Sequence, residues 1–360
     1  MLLEVFGPHQ EGIWSAGKDH PADPGSRPPA VPKLRPRTPF LALATSVLFC
    51  VGCTTQPESV FRIGTNIWPG YEPLHMAKAQ GYLEESVRLV EYSSATQVIH
   101  EFRNGAIEAA ALTLDEVLLL MQYGQTPQVV LVLDVSLGGD VILGQRELHR
   151  LADIRGHRVG VENTALGAYV LSRALEKAGL TQADITIVPL AVDQHANAFR
   201  KRAVDAVVTF EPVRSQLMTQ GANPLFDSSQ IPGEILDVLV VRADRMKSHI
   251  RQVDTLVRGW FEALRFLQQH PDEAAALVSK RLGIKPEEVA AAYKGLHFPD
   301  VAENHAYLSG RPSGLLKAAQ RLTAVMTHEQ LLDREFTVHE ISESGPLDTL
   351  SQTIHAPRAL

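Results

Sequence analysis

The sequence predicts an α/β protein with mostly parallel sheets, and three observations carry that reading. From residue 60 onward, short runs rich in Val, Ile and Leu alternate with stretches whose apolar residues recur at helical spacing, the alternation that builds parallel sheets covered by helices. Gly or Asn-Gly follows the early helical stretches, as a helix stop requires. At 360 residues, with 45% hydrophobic and 21% charged residues and a mean hydropathy of -0.04, the chain has room for two domains and the balance of a globular protein.

Taken in order, the strands read as VFRIGTN, VRLVEYS, AAALT, VVLVLDVS, RVGVE, ITIVPL, DAVVTF and DVLVVR. Helices fill the gaps: Leu74 to Gln80 before Gly81, Thr96 to Arg103 before Asn104-Gly105, LDEVLLLMQ after Thr113, and Thr164 to Ala178 before Gly179. In the last of these, Leu166, Val170, Leu171, Ala174 and Leu175 form one apolar stripe that packs on a sheet. After DVLVVR the chain turns helical, near Ile250 to Gln269, Asp272 to Leu282, Pro286 to Tyr293, Ser313 to Thr327 and, briefly, Glu329 to Asp333. Pro271 and Pro286 stand near helix starts, where a missing N–H costs nothing. From about Ser342 the chain is polar and weakly patterned, and poor order is expected there.

The N-terminus is different in kind. Seven prolines between Pro21 and Pro39 lie among Gly, Arg and Lys without apolar periodicity, so residues 1 to 32 are expected to form no core. Lys33, Arg35 and Arg37 then precede FLALATSVLFCVG, about a dozen mostly apolar residues, the length of an export-signal core and well short of a membrane span. Its distance from Met1 points to a true translation start further along. The run ends in CVGC, which resembles a bacterial lipobox with Cys53 as the lipidated residue, although Cys50 stands where Leu is usual. Ordinary secretion is the other reading. Cys50 and Cys53 are the only cysteines, so with Cys53 lipidated no disulfide or thiolate metal site holds the fold. Residues 33 to 53 are thus read as a lipoprotein signal and 54 to 59 as a polar tether.

A formal net charge of -7, with both signs interspersed, offers no broad basic face for phosphates and argues against a nucleic-acid partner. GxSxG, HExxH, Walker-loop and paired CxxC spacings are all missing from the sequence.

The segments RIGTNIWPGYEPLHMAKAQGYLEE and VEYSSATQVIHEFRNGAIEAAALTLDE, followed by DVSLGGDVIL, IRGHRVGVENTALGAYVLSRALEKAGL, VDAVVTFEPV and FDSSQIPGEILDVLVVR, resemble periplasmic binding proteins for nitrate, sulfonates, taurine and thiamine-pyrimidine precursors. The resemblance runs over roughly residues 60 to 245. It implies the type II periplasmic-binding-protein fold, with two α/β lobes, a ligand cleft between them and a two-segment hinge. On this chain it implies a first lobe over 60–142 and 238–341, a second over 143–237, crossovers at Val141-Ile142 and Asp237-Val238, and a tail over 342–360. It further implies an exported, lipid-anchored monomer that passes a small-molecule solute to an ABC permease, needs no cofactor and catalyses nothing. Two alternatives stand beside it: a module feeding a signalling receptor, and an enzyme like the fungal pyrimidine-precursor synthases, whose cysteine-rich motif is missing here.

The candidate ligand contacts are Trp68, Tyr71, Thr113, Ser136, Asn163, Thr164, Ala165 and Glu211. Trp68 and Tyr71 follow the first strand, where the carboxyl ends of a parallel sheet face a crevice, and either wall the ligand or plug the core. Thr113 offers its hydroxyl to a solute or caps the helix behind it, and Asp115 complements that helix's dipole. The resemblance places Ser136 and the glycine-rich backbone at the cleft and Asp140 near the hinge; Gly138 and Gly139 have the plainer role of permitting the crossover's dihedrals. Asn163, Thr164 and Ala165 begin a helix whose free N–H groups welcome an anionic or accepting group, or are capped locally. His195 has a surface or capping role as its plainer reading. The resemblance turns Glu211 of TFEP toward the solute, whereas the plainer reading pairs it with Arg214. These positions hold acids and no Arg or Lys, so the expected solute is neutral, zwitterionic or bears an amine or N-heterocycle.

Overall fold

The computed structural model describes residues 59–162, 165–334 and 336–355. The Pro-rich stretch, the expected export signal and the expected lipidation site Cys53 lie outside these residues.

The chain first lays down β1 (Phe61–Asn66), α1 (Glu72–Ala79), β2 (Val87–Tyr92), α2 (Ala95–Arg103), β3 (Ala109–Thr113), α3 (Leu114–Gln122) and β4 (Pro127–Ser136). It then builds a second sheet from β5 (Val141–Gly144), β6 (Arg158–Val161), α4 (Ala165–Ala178), β7 (Thr186–Pro189), α5 (Val192–Arg200), β8 (Ala206–Thr209), α6 (Val213–Thr219) and β9 (Asn223–Asp227). It returns to the first sheet with β10 (Leu236–Arg242) and finishes with α7 (Ala243–Met246), α8 (Ile250–Gln269), α9 (Pro271–Leu282), α10 (Pro286–Tyr293), β11 (Leu296–His297), α11 (Val301–Leu308), α12 (Gly314–His328) and α13 (Gly345–His355).

The first sheet has the order β11-β4-β10-β3-β1-β2 and the second β7-β6-β8-β5-β9. The two share a plan. In each, a parallel core (β1 with β2 and β3; β6 with β7 and β8) is extended by one antiparallel strand, β10 or β5, that lies between two others. The eight expected strands are present. β3 and all of β4 after Gln128 are buried, in keeping with apolar runs that lie inside a sheet covered on both faces.

Three departures have local causes. Val141-Ile142, expected at one crossover, lies in β5 inside the second sheet, and Asp237-Val238, expected at the other, lies in β10 inside the first, so the chain changes sheets over 137–140 and 231–235. Glu329 to Asp333 is not helical, because Gln330 adopts a positive φ of 57° and Leu331 N–H turns back to Met326 O at 2.8 Å. The stretch after Ser342 is ordered as α13, whose Leu347 and Leu350 are buried and which packs on α8. The chain just before it bonds the edge of β4, with Val129 N–H to Ile341 O at 2.7 Å and Glu343 N–H to Val129 O at 2.8 Å. Among the described residues no helix is long and apolar enough to cross a membrane.

Two polar ties join the halves behind the cavity. Ser172 of α4 donates to Glu329 Oε2 at 2.5 Å, just past α12. Tyr169 and Arg173, also on α4, donate to Glu234 on the return crossover at 2.5 to 3.0 Å.

Candidate functional site

A cavity lies between the two sheets, and the strand ends explain which residues reach it. At the carboxyl ends of parallel strands the backbone leaves the sheet and turns, so loop side chains and helix starts face the gap. β1 delivers Asn66, Trp68 and Tyr71; β3 delivers Thr113 and, one helical turn on, Glu116. From the other sheet β6 delivers Glu162 and the first turns of α4, while β8 delivers Thr209 and Phe210. Asp140 on the outward crossover, Asp237 at the start of β10 and His195 on α5 complete the polar lining.

The aromatic walls are fixed by acids behind them. Trp68 Nε1 donates to Asp134 Oδ2 at 3.1 Å, and the Tyr71 hydroxyl donates to Asp237 Oδ1 at 2.6 Å. Trp68 meets Phe210 of the other lobe edge to face, with centroids 5.5 Å apart. Gly70 is needed here, since a Cβ on it would lie 1.9 Å from Asp134 Oδ2 and 2.3 Å from Trp68 Nε1.

The lining is strongly acidic. Glu116, Asp140, Glu162 and Asp237 face the cavity, and among the described lining residues none is Arg or Lys. Asp140 and Asp237 are each 2% exposed, and Asp140 Oδ2 and Asp237 Oδ2 have no hydrogen-bond partner. Asp115 Oδ2 and Asp134 Oδ1, buried close behind, have none either. Burial pushes these groups up: Asp140 to about 6, Asp115 and Glu162 to about 7, Asp134 to about 8. Glu116 and Asp237 are also held well above the usual carboxylate range, by burial first and by neighbouring acids second. Burial lowers His195 to about 4, so its ring is neutral near pH 7; Nδ1 pairs with Thr209 Oγ1 at 3.2 Å and Nε2 has no partner.

The structure gathers Trp68, Tyr71 and Thr113 at the cavity, with Thr113 Oγ1 buried and unpartnered. Its backbone N–H donates to Glu116 Oε2 at 3.0 Å, which closes the start of α3. Ala165 opens α4, whose Leu166 and Gly167 line the cavity, while Asn163 and Thr164 lie outside the described residues. Ser136 is elsewhere: its Oγ pairs with Ser228 Oγ at 2.8 Å and accepts from Asp140 N–H at 3.3 Å. Ser228 Oγ also accepts from Gly138 N–H at 2.6 Å, so this pair ties the outward crossover to the chain just before the return one. Glu211 is also elsewhere. It is 3% exposed, accepts from Ser215 N–H at 3.1 Å and Ser215 Oγ at 2.9 Å, and lies 3.7 Å from Arg214 Nη1. That is the plainer of its two readings: the carboxylate is spent on the first turn of α6 and borders a groove outside the cavity.

Sequence reading passed over Glu116, Glu162, Asp134 and Asp237. The last two had a visible signal, an acid inside an otherwise apolar strand, in VVLVLDVS and DVLVVR.

A family model described as the NMT1-like family matches residues 54–283. The taurine-binding periplasmic protein of Escherichia coli K12 is 23% identical over 253 residues, covering 66% of this chain and 78% of that one. Among solved structures, the alkanesulfonate-binding protein SsuA of Xanthomonas axonopodis pv. citri, bound to MOPS, matches with a TM-score of 0.68 at 19% identity, covering 80% of this chain and 99% of the other. The desulfurization enzyme DSZB shares the fold as well, with a TM-score of 0.62 at 16% identity over 82% of this chain and 100% of that one. The two-lobed architecture with two crossovers is thus that of the periplasmic binding proteins.

Proposed function

The chain belongs to the NMT1-like family, and from that membership and the form of its cavity we propose that it is the solute-binding component of an ABC importer, capturing a small neutral, zwitterionic or amine- or N-heterocycle-bearing molecule between its lobes. The observation that carries the reading is a cavity lined from both sheets, with aromatic walls and converging acids, the composition of a small-molecule site. Residues from both lobes lose water together when they close on a solute, so binding free energy shifts an open–closed equilibrium. The permease then reads the closed form.

The relatives reported above include binding proteins and one enzyme of the same fold; the reading assigns no catalysis to this chain. Export and anchoring through Cys53 belong to the same proposal and rest on the CVGC run after an apolar segment. Mass spectrometry of the membrane-extracted protein tests the anchor, with a diacylglyceryl adduct on Cys53 as the expected species and an unmodified soluble product as the refutation.

The test of capture is a thermal-shift screen of the full chain against amines, pyrimidines, amino acids and sulfonates, followed by small-angle scattering. A ligand that binds only the folded state raises the melting temperature, and closure lowers the radius of gyration. A solute that binds without compaction, or turnover of any bound compound, sinks the reading.

A further inference from the structure

We infer that the solute's anchoring group is a positively charged nitrogen, an ammonium, amidinium or protonated ring nitrogen, clamped between Glu116 and Asp140 of the first lobe side and Glu162 of the second. This rests on the solute-capture reading and narrows it.

Acids alone do not make a site; here the second observation is that two of the acids at this cavity, Asp140 and Asp237, are buried with an oxygen unspent. Asp140 faces the cavity at 2% exposure with Oδ2 unpartnered. Asp237 faces it with one oxygen occupied by Tyr71 and the other free. Among the described residues, Glu162 accepts a hydrogen bond from Thr96 Oγ1 at 3.5 Å. Carboxylates removed from water need a donor or a cation, and none of the described lining residues is a Lys or Arg that could provide the charge. A cationic guest does so, and Trp68 and Phe210 present aromatic surfaces that attract the same charge.

The distribution of the acids adds a mechanism. Because acids stand on both walls, closing the lobes without a guest buries carboxyls from both lobes with no counter-charge among the described lining residues; a cation supplies it. The guest is therefore also the counter-charge that permits closure. The first turns of α4 lie at the same cavity, and a helix start favours an acceptor group, so a zwitterion is expected to place its ammonium toward the acids.

Isothermal titration of the full chain with matched pairs tests this: taurine against ethanesulfonate, butylamine against butanol, benzamidine against benzamide. At least one charged amine or amidine binds about tenfold or more tightly than its partner. Asp140→Asn and Glu162→Gln, which keep size and shape, abolish that preference, and each unliganded variant melts a few degrees above the parent because an unpaired buried charge has gone. The inference falls if ethanesulfonate binds as tightly as taurine, if the uncharged members match the charged ones, or if both variants melt lower with the preference intact. Binding without a charge preference leaves solute capture standing; silence from all six compounds counts against both readings.

Discussion

Asp134 and Asp237 lie directly opposite each other across the antiparallel pair β4 and β10, both buried. Side chains at such positions are about 5 Å apart at Cβ, and each aspartate keeps one oxygen without a donor while Trp68 or Tyr71 satisfies the other. A proton held between them satisfies both. Asp134→Asn, which supplies an N–H in its place, is expected to stabilise the protein by about 1–3 kcal/mol at pH 8. The gain shrinks at pH 5, where the acid supplies its own proton. Urea unfolding at the two pH values checks this, and a loss of stability at pH 8 contradicts it.

Tyr71→Phe removes the donor to Asp237 Oδ1 and leaves a second buried oxygen bare. The expected cost is about 1.5–3 kcal/mol, the range for hydrogen bonds to charged groups. It appears in urea titrations as a lower midpoint with an unchanged slope.

The unliganded protein is expected to be more stable near pH 5 than near pH 8. Asp115 on α3, Asp134 on β4, Asp140 on the crossover and Glu162 after β6 have folded pKa values of about 6 to 8. Glu116 and Asp237 are raised too. Unfolded carboxyls titrate near 4, so between that value and the raised folded values the folded state binds more protons and stability falls as pH rises, by about 1.4 kcal/mol per pH unit for each group in transit. Glu72, at about 7, acts in the same sense, whereas His195, at about 4, and His75, at about 3, oppose it below about pH 6.5, where the unfolded imidazoles bind a proton that the folded ones do not, and the more numerous acids outweigh them. A melting curve that is flat or rising from pH 5 to 8 contradicts this.

Glu211→Gln is expected to leave solute affinity within about twofold, because Glu211 faces Ser215 and Arg214 outside the cavity. Its effect is on the start of α6, at about 1 kcal/mol of stability. A large loss of affinity by calorimetry would return Glu211 to the binding surface.

Ser172→Ala removes the tie to Glu329 between α4 and the end of α12. About 1 kcal/mol of closed-form stabilisation goes with it, and apparent affinity falls about fivefold. Scattering of the liganded variant shows a more open average; unchanged affinity and radius of gyration contradict this.

Where pattern and local chemistry coincide, the sequence was readable. Apolar runs bounded by turn residues gave the eight main strands, and α8 and α10 fall on the residues that periodicity and Pro286 indicate. Elements fixed by distant partners were not readable. α11 is short, and Asn304 docks it by bonding Val132 N–H and O of β4 at 2.8 and 3.2 Å, a contact no local pattern reveals. β9 carries Pro224 and lies at the edge of its sheet, where a strand tolerates proline yet loses its sequence signal. At the site, the aromatic pair after β1 was legible from its place behind a parallel strand. The acids were legible only in part: Asp134 and Asp237 stand out inside apolar strands, but their pairing appears only when β10, some hundred residues along, is laid beside β4.

That pairing also says how the molecule is put together. Val135 stands across from Leu236, and Ser136 N–H bonds Ile235 O at 3.1 Å, so the last rung before the chain departs and the first after its return are neighbours. Joined by a tight turn, these strands would be an ordinary hairpin. The whole second lobe is spliced into that turn as one continuous cassette, and a single excision leaves two cut ends side by side. A graft between relatives at this seam therefore exchanges one jaw of the clamp while Asp134, Asp237 and the aromatics they hold stay in place on the other.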